Sequence, residues 1–295
     1  MKLKFWGVRG SIPSPGPQTI RYGGNTTCIE VRGDDGTLII LDGGTGIFPL
    51  AQTLLRELPV KANIFITHSH WDHIHGLPFF IPLFIPGNSV RLHGAFNPVS
   101  GNGVEQVMAV QLQYSYFPVR EVEMKAAIEY ETLAIDQSVA VGDCIVTSTL
   151  LNHPVIDFGY RIDCNGKSLF FTGDHEPYYN IYDPGDDDYA EYQAMIEDKQ
   201  AAVDQAMRGV DALIVDTSYT REEYASKQGW GHGYFDASIA MAQRVGAKRL
   251  YCTHHEPTRN DDDLDAVFAE VMQRHAPLPP GLEVLLAHEG LELEL

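Results

Sequence analysis

A layered α/β protein, with mixed sheets covered by helices, is what this 295-residue chain predicts. Three observations carry the expectation. Short apolar runs of strand length alternate with segments of helical spacing. Several of those runs end in histidine or aspartate. No linker, low-complexity tract or charge block divides the chain, so residues 1–295 are expected to form one domain.

Taken in order, strands are expected near residues 2–6, 27–32 and 37–41, then a helix from 47 to 58. The run Asn63-Ile64-Phe65-Ile66-Thr67 is short and apolar and reads as a buried strand, leading to a loop and a short helix. Another strand is expected near 89–93. Residues 94–135 begin as an Asn/Pro/Gly loop, continue with a helix around 103–113, and pass through the aromatic, proline-broken stretch Tyr114-Ser115-Tyr116-Phe117-Pro118. Strands follow near 126–131, 139–150, 159–164 and 168–172. Residues 189–207 read as a helix, with Tyr192, Met195, Ile196, Val203 and Met207 at helical spacing. A strand at 211–216, a helix after His232, a strand at 248–253, a helix around 264–274 and a last strand near 282–287 complete the pattern.

His68-Ser69-His70-Trp71-Asp72-His73 places four potential metal ligands within six residues, directly after an expected strand. Side chains in the loop beyond a strand end can converge on one point. A single histidine is usually an exposed or hydrogen-bonded residue, and this chain has twelve. Other strand ends decide the matter. The run 145–151 ends at Asn152-His153-Pro154, the run 168–172 at Gly173-Asp174-His175-Glu176, and the run 249–253 at His254-His255-Glu256-Pro257. Three separate strands ending in ligand-type residues point to two metal ions and hydrolysis.

With these motifs the chain resembles the metallo-β-lactamase-fold hydrolases, and within them the ribonuclease Z-like and cyclic-nucleotide-phosphodiesterase-like branch. The resemblance spans Phe5-Trp6-Gly7-Val8-Arg9-Gly10-Ser11, Gly23-Gly24-Asn25-Thr26-Thr27-Cys28, Leu41-Asp42-Gly43-Gly44-Thr45-Gly46, the histidine-rich motif, Phe171-Thr172-Gly173-Asp174 and Thr253-His254-His255-Glu256-Pro257. It implies a four-layer αββα sandwich with two metals in a cleft along one edge of the sheets. Residue by residue, it implies that His68, His70 and His153 hold one ion. Asp72, His73 and His254 hold the other, and Asp174 bridges them. Asp72 thereby enters the catalytic set. Relatives of the lactamase branch proper often use a cysteine in the second site, and none of the four cysteines here matches that position. The di-iron redox branch usually has a carboxylate where His70 stands, so His70 favours hydrolysis.

The chemistry explains the residue types. Two divalent ions can trap a bridging water and lower its pKa from 15.7 towards roughly 7, supplying a hydroxide at neutral pH. Imidazole and carboxylate ligands suit zinc, and also manganese or iron. The glycine-rich stretch Gly229-Trp230-Gly231-His232-Gly233 precedes a helical pattern. The resembling branch has a Gly-His-Ser-type loop there, so His232 is expected to contact the phosphate or protonate the leaving group. Where that loop has serine, this chain has Gly233. Lactonases and thiolesterases of the same fold share most of the ligand set, and His232 is the feature that favours phosphodiesters.

The chain carries 21 basic and 40 acidic residues, a formal charge of −19. Nucleic-acid binding draws on Lys and Arg at phosphates, and no basic run appears. A small phosphodiester of the cyclic-nucleotide type is therefore expected, rather than a long nucleic acid. Ribonuclease Z-like RNA processing, or lactone or thioester hydrolysis, is the alternative. The acidic clusters Asp183, Asp186–Asp188 and Asp261–Asp263 read as solvated loops and helix starts. Asp42 reads as a carboxylate buttressing the ligand loop. His75, His175 and His255, each beside a ligand, read as supporting or structural, and Arg9 and Asn25 receive no role. The loop aromatics, Trp230 among them, read chiefly as packing residues. Cys28, Cys144, Cys164 and Cys252 lack Cys-x-x-Cys spacing and read as buried free thiols of a reducing compartment. With no secretory h-region and no long apolar run, a cytoplasmic protein without a membrane span is expected. The branch often dimerises, so a homodimer is an expectation of the resemblance.

Overall fold

Strand residues that alternate between two different cores build this architecture. The computed structural model describes residues 1–99 and 101–295. The first sheet contains β1 (Lys2–Gly7), β2 (Cys28–Arg32), β3 (Leu38–Leu41), β4 (Lys61–Phe65), β5 (Ser89–Ala95) and β6 (Ala127–Leu133). The second contains β7 (Ser138–Val141), β8 (Cys144–Leu150), β9 (Phe158–Cys164), β10 (Lys167–Phe171), β11 (Ala212–Asp216), β12 (Arg249–Thr253) and β13 (Glu283–Leu286). A short β14 (Glu292–Glu294) returns to pair with β1. The two seven-stranded sheets run β14-β1-β2-β3-β4-β5-β6 and β13-β12-β11-β10-β9-β8-β7.

In β3, Ile39 and Leu41 face the other sheet, while Leu38 and Ile40 face the helices. In β11, Ala212 and Ile214 face inward, while Leu213 and Val215 face outward. This two-residue period puts one apolar core between the sheets and one on each outer face. The outer cores are closed by α1 (Ile47–Leu54) and α3 (Val104–Gln111) on one side. On the other they are closed by α4 (Tyr189–Met207), α6 (Phe235–Val245) and α7 (Asp261–Arg274). Helix α1 buries Ile47, Leu50, Ala51 and Leu54, the spacing of a single apolar stripe. The expected four-layer αββα sandwich is what the chain forms. Among the described residues, no helix is long and apolar enough to cross a membrane.

Several boundaries differ from expectation. The single strand expected over 139–150 is a hairpin, β7 and β8, turned at Gly142-Asp143. The first helix stops at Leu54 rather than reaching 58. The strand before the histidines is shifted towards the N-terminus. Helix α5 (Arg221–Lys227) was not expected, although Thr220 and Glu223 form a capping box that announces it. Ser100, in the expected Asn/Pro/Gly loop, lies outside the described residues.

Candidate metal centre

The candidate ligands come from strand ends on both sheets. His68, His70, Asp72 and His73 follow β4 and run into the one-turn helix α2 (Trp71–Ile74), while His153 follows β8, Asp174 follows β10 and His254 follows β12. Two bonds between the sheets fix the histidine loop. Tyr160 donates its hydroxyl proton to the Ile66 carbonyl at 2.7 Å, and the Phe158 amide donates to the Thr67 carbonyl at 3.0 Å.

All seven residues expected at the site are brought together. His68, His70, His153 and Asp174 offer ligand atoms within 4.8 Å of one another, and so do Asp72, His73, Asp174 and His254. Asp174 belongs to both groups. Its Oδ1 stands 3.1 Å from His73 Nε2 and 3.0 Å from His254 Nε2, while its Oδ2 faces His68 Nε2 and His232 Nδ1, each at 3.6 Å. Asp72 Oδ2 is 3.1 Å from His254 Nε2 and 3.3 Å from His73 Nε2.

The donor set fits divalent ions. His68 Nε2, His73 Nε2 and Asp174 Oδ1 are buried with no hydrogen-bond partner, an arrangement too costly to leave uncompensated. Separations of 3.0–3.3 Å in the second group match the roughly 3.3 Å edge of a tetrahedron with ~2.0 Å bonds.

Four of the five candidate imidazoles, those of His68, His73, His153 and His254, set one ring nitrogen against a polar neighbour, which leaves the other for an ion. His73 Nδ1 donates to Asp42 Oδ2 at 2.7 Å. Asp42 also accepts from the Thr67 amide and hydroxyl, linking the end of the strand to His73. His153 Nδ1 donates to the Gly231 carbonyl at 2.8 Å. A Cβ on Gly231, which has a φ of +89°, would fall 2.4 Å from His153 Nδ1, so only glycine lets this loop approach. His254 Nδ1 donates to Ser218 Oγ at 3.0 Å, and that hydroxyl donates to Asp216 Oδ1 at 2.7 Å. His68 Nδ1 lies 2.8 Å from Asp157 Oδ1.

His232 lies beside the two groups, stacked 4.9 Å from the His254 ring. Its Nδ1 donates to Asp216 Oδ2 at 3.0 Å. The same oxygen accepts from the Gly233 amide at 3.2 Å, and a Cβ at Gly233 would sit 2.3 Å from the Asp216 carbonyl. The glycine that replaces the expected serine is thus demanded by packing. Burial alone would lower the pKa of His232, but Asp216 and Asp174 outweigh it and hold it above the ordinary histidine value.

Asp216, Ser218, Asp157 and Glu176 were missed by the sequence reading. Asp216 ends a strand-like run just as the ligands do, so the same rule would have found it. Glu176 stands in the same strand-end run as Asp174, but its role, like that of Asp157, is set by partners that tertiary packing brings in. Buried Glu176 accepts from Tyr224 Oη at 2.8 Å and from the amides of Gly229 and Gly231 at 2.7 and 3.0 Å, pinning the glycine-rich loop.

Other residues fall away from the ligand groups. His75 is exposed and packs edge-on to Trp71. His175 Nδ1 accepts from the Asn152 amide, and His255 Nε2 donates to the Ala287 carbonyl. Arg9 is fully buried, binding the carbonyls of Gly23 and Arg259 and pairing with Asp261, while Asn25 binds Glu289. Asp261 is therefore an internal partner rather than solvated, unlike exposed Asp262 and Asp263.

The chain is similar to ribonuclease BN of Erwinia tasmaniensis, 24% identical over 309 aligned residues that cover 92% of this chain and 94% of that one. Its fold is similar to that of the metallo-beta-lactamase fold protein YhfI from Bacillus subtilis, with a TM-score of 0.66, 19% identity and 99% of each chain covered. It is also similar to the short form of human tRNase Z, with a TM-score of 0.65, 19% identity, and 100% of this chain and 99% of that chain covered. The fold implies divalent metal ions, for which the His/Asp groups are the candidate seats, and a hydrolase. A sequence profile described as the Beta-lactamase superfamily domain matches residues 37–255, and the chain belongs to that superfamily.

Proposed function

We propose that this hydrolase is a dinuclear phosphodiesterase for a small phosphodiester of the cyclic-nucleotide type. The observation that carries the reading is Asp174, with one carboxylate oxygen turned to each group of histidines and His232 placed against the second oxygen. His68, His70 and His153 would hold one ion, Asp72, His73 and His254 the other, and Asp174 both, with zinc as the ion of choice. Bound divalent ions supply Lewis acidity and acidify water.

The protein's own groups supply the rest. His232 is anchored through Nδ1 on Asp216, which leaves Nε2 as the nitrogen available to a substrate oxygen. Asp216 and Asp174 raise its pKa above the ordinary histidine value, which favours the protonated form that donates a proton to a leaving group. Asp42, Ser218, Asp216 and Gly231 hold the ligand imidazoles in one tautomer and one orientation.

A small substrate is favoured by charge. The chain carries −19 overall. Two cations near the glycine-rich loop are already engaged, Lys227 with Glu256 at 3.5 Å and Arg259 with Glu223 at 2.6 Å. Ribonuclease action is the second reading, favoured by the similarity to ribonuclease BN and tRNase Z. Side-by-side assays of bis-p-nitrophenyl phosphate, 3′,5′-cAMP, 2′,3′-cAMP, a precursor tRNA and an acyl lactone, with metal analysis on the same sample, separate these readings. Cleavage of a cyclic nucleotide well above the others is the expected result. Cleavage of the tRNA alone, or the lactone alone, overturns it.

A further inference from the structure

Strands β8 and β9 lead to His153 and Asp157 at one end of the sandwich. At the other end they carry Cys144 and Cys164, which are register partners across the antiparallel ladder. The two Sγ atoms are in direct contact, 2.6 Å apart, and both residues are free thiols. Both thiols are buried in the core between the sheets, whereas Cys28 and Cys252 lie in the two separate outer cores. The residues between Cys144 and Cys164 hide the pairing from the sequence, since only strand register brings the two together.

Asp143 completes a group of three that could hold a metal ion. The spacing argues against that use. Two thiolates on one zinc, with bonds of about 2.3 Å, stand roughly 3.7 Å apart. Asp143 is in any case committed elsewhere, since its Oδ2 accepts from the Asp34 amide at 3.0 Å and from Asn165 Nδ2 at 2.8 Å. Sulfur–sulfur chemistry is the use that the cross-strand pairing of two buried thiols supports.

We propose that Cys144 and Cys164 are a redox pair that a low-molecular-weight disulfide, such as oxidised glutathione, closes into a cross-strand disulfide. One thiol loses its proton and attacks the small disulfide, expelling one thiolate and forming a mixed disulfide. The second thiol loses its proton and attacks the protein sulfur of that mixed disulfide, expelling the other thiolate. The pair loses two hydrogens and two electrons, and the small disulfide becomes two thiols. Burial, the neighbouring thiol and Asp143 push the pKa of Cys144 up, so closure is slow at neutral pH. Once formed, the bond encloses residues 145–163, including His153 and Asp157, in a covalent loop that restricts the unfolded chain.

The test uses the intact, metal-loaded protein, incubated with oxidised glutathione, quenched with an alkylating agent in denaturant and mapped by mass spectrometry without reduction. The expected product links the Cys144 and Cys164 peptides, lacks two hydrogens, and is alkylated only at Cys28 and Cys252. Its thermal midpoint rises by several degrees, an increase that dithiothreitol reverses. In Cys144→Ser and Cys164→Ser the glutathione-dependent rise disappears. Should either variant fail to fold, mapping of the unaltered chain still decides. Four alkylated cysteines after prolonged oxidation would overturn the proposal, as would a stable glutathione adduct without a cross-link. Thiols that react only after a chelator strips the protein would overturn it in favour of a metal site.

Discussion

The two ligand groups share Asp174 yet hold protons in opposite ways. In the first group burial dominates: it lowers the pKa of His68 and His70 and pushes His153 down to about 4. In the second group burial also acts to lower the values, but Asp174, Asp72 and Asp42 hold His73 well above the ordinary range, and Asp174 and Asp216 do the same for His254. Placement of carboxylates makes the difference. Burial thus favours the neutral form in the first trio, whereas the carboxylates favour the protonated form in the second pair, where an ion would have to displace protons.

Asp174→Ala breaks the comparison outright by removing the shared member. Both ions are expected to be lost, with hydrolysis falling about 10³-fold or more, the scale of a lost electrostatic stabiliser. Metal content measured beside turnover checks this, and a variant that keeps both ions and its activity would remove Asp174 from the centre. His232→Ala leaves both groups intact. It is expected to lower turnover about 10²-fold or more with two ions still bound, and full retained activity would take His232 out of the mechanism.

Asp72→Ala and His153→Ala sharpen the contrast one side at a time. Each is expected to leave one ion per chain, the first variant emptying the group of His73 and His254, the second the group of His68 and His70. Equal loss of both ions in both variants would show the groups to be inseparable. Asp42→Ala removes only the partner of His73 Nδ1, and its expected cost is about 10–100-fold in affinity for one ion, read by titration with a chelator.

The smallest effect is a separation along the pH axis. Protons compete best where the histidine pKa is raised, so affinity at His73 and His254 falls first as pH is lowered. His153, held at about 4, gives up its ion at lower pH. Acid titration of the loaded protein is expected to release two ions in two steps, the first carried by the group containing Asp72. A single step, or first release from the group of His68, His70 and His153, would refute the protonation contrast.

How much of this was legible depended on where each residue's partner lies. His68, His70, Asp72 and His73 are contiguous, and His153, Asp174 and His254 each end a strand-like run, so pattern alone located them. The layer order followed from period-two strands and helical spacing. The hairpin at Gly142-Asp143 was lost because its two strands form one apolar run interrupted by only two residues. Asp157, Ser218 and Glu176 gain meaning only from neighbours brought in by packing, and a residue whose partner is remote in sequence leaves no local trace. Arg9 is the same case, reaching from the first strand's end to Arg259 and Asp261.

Glu176 ties the glycine-rich loop through two backbone amides and fastens it to helix α5 through the Tyr224 hydroxyl. The Gly231 carbonyl that receives His153 Nδ1 is thereby held in place by a carboxylate that itself touches no candidate metal ligand.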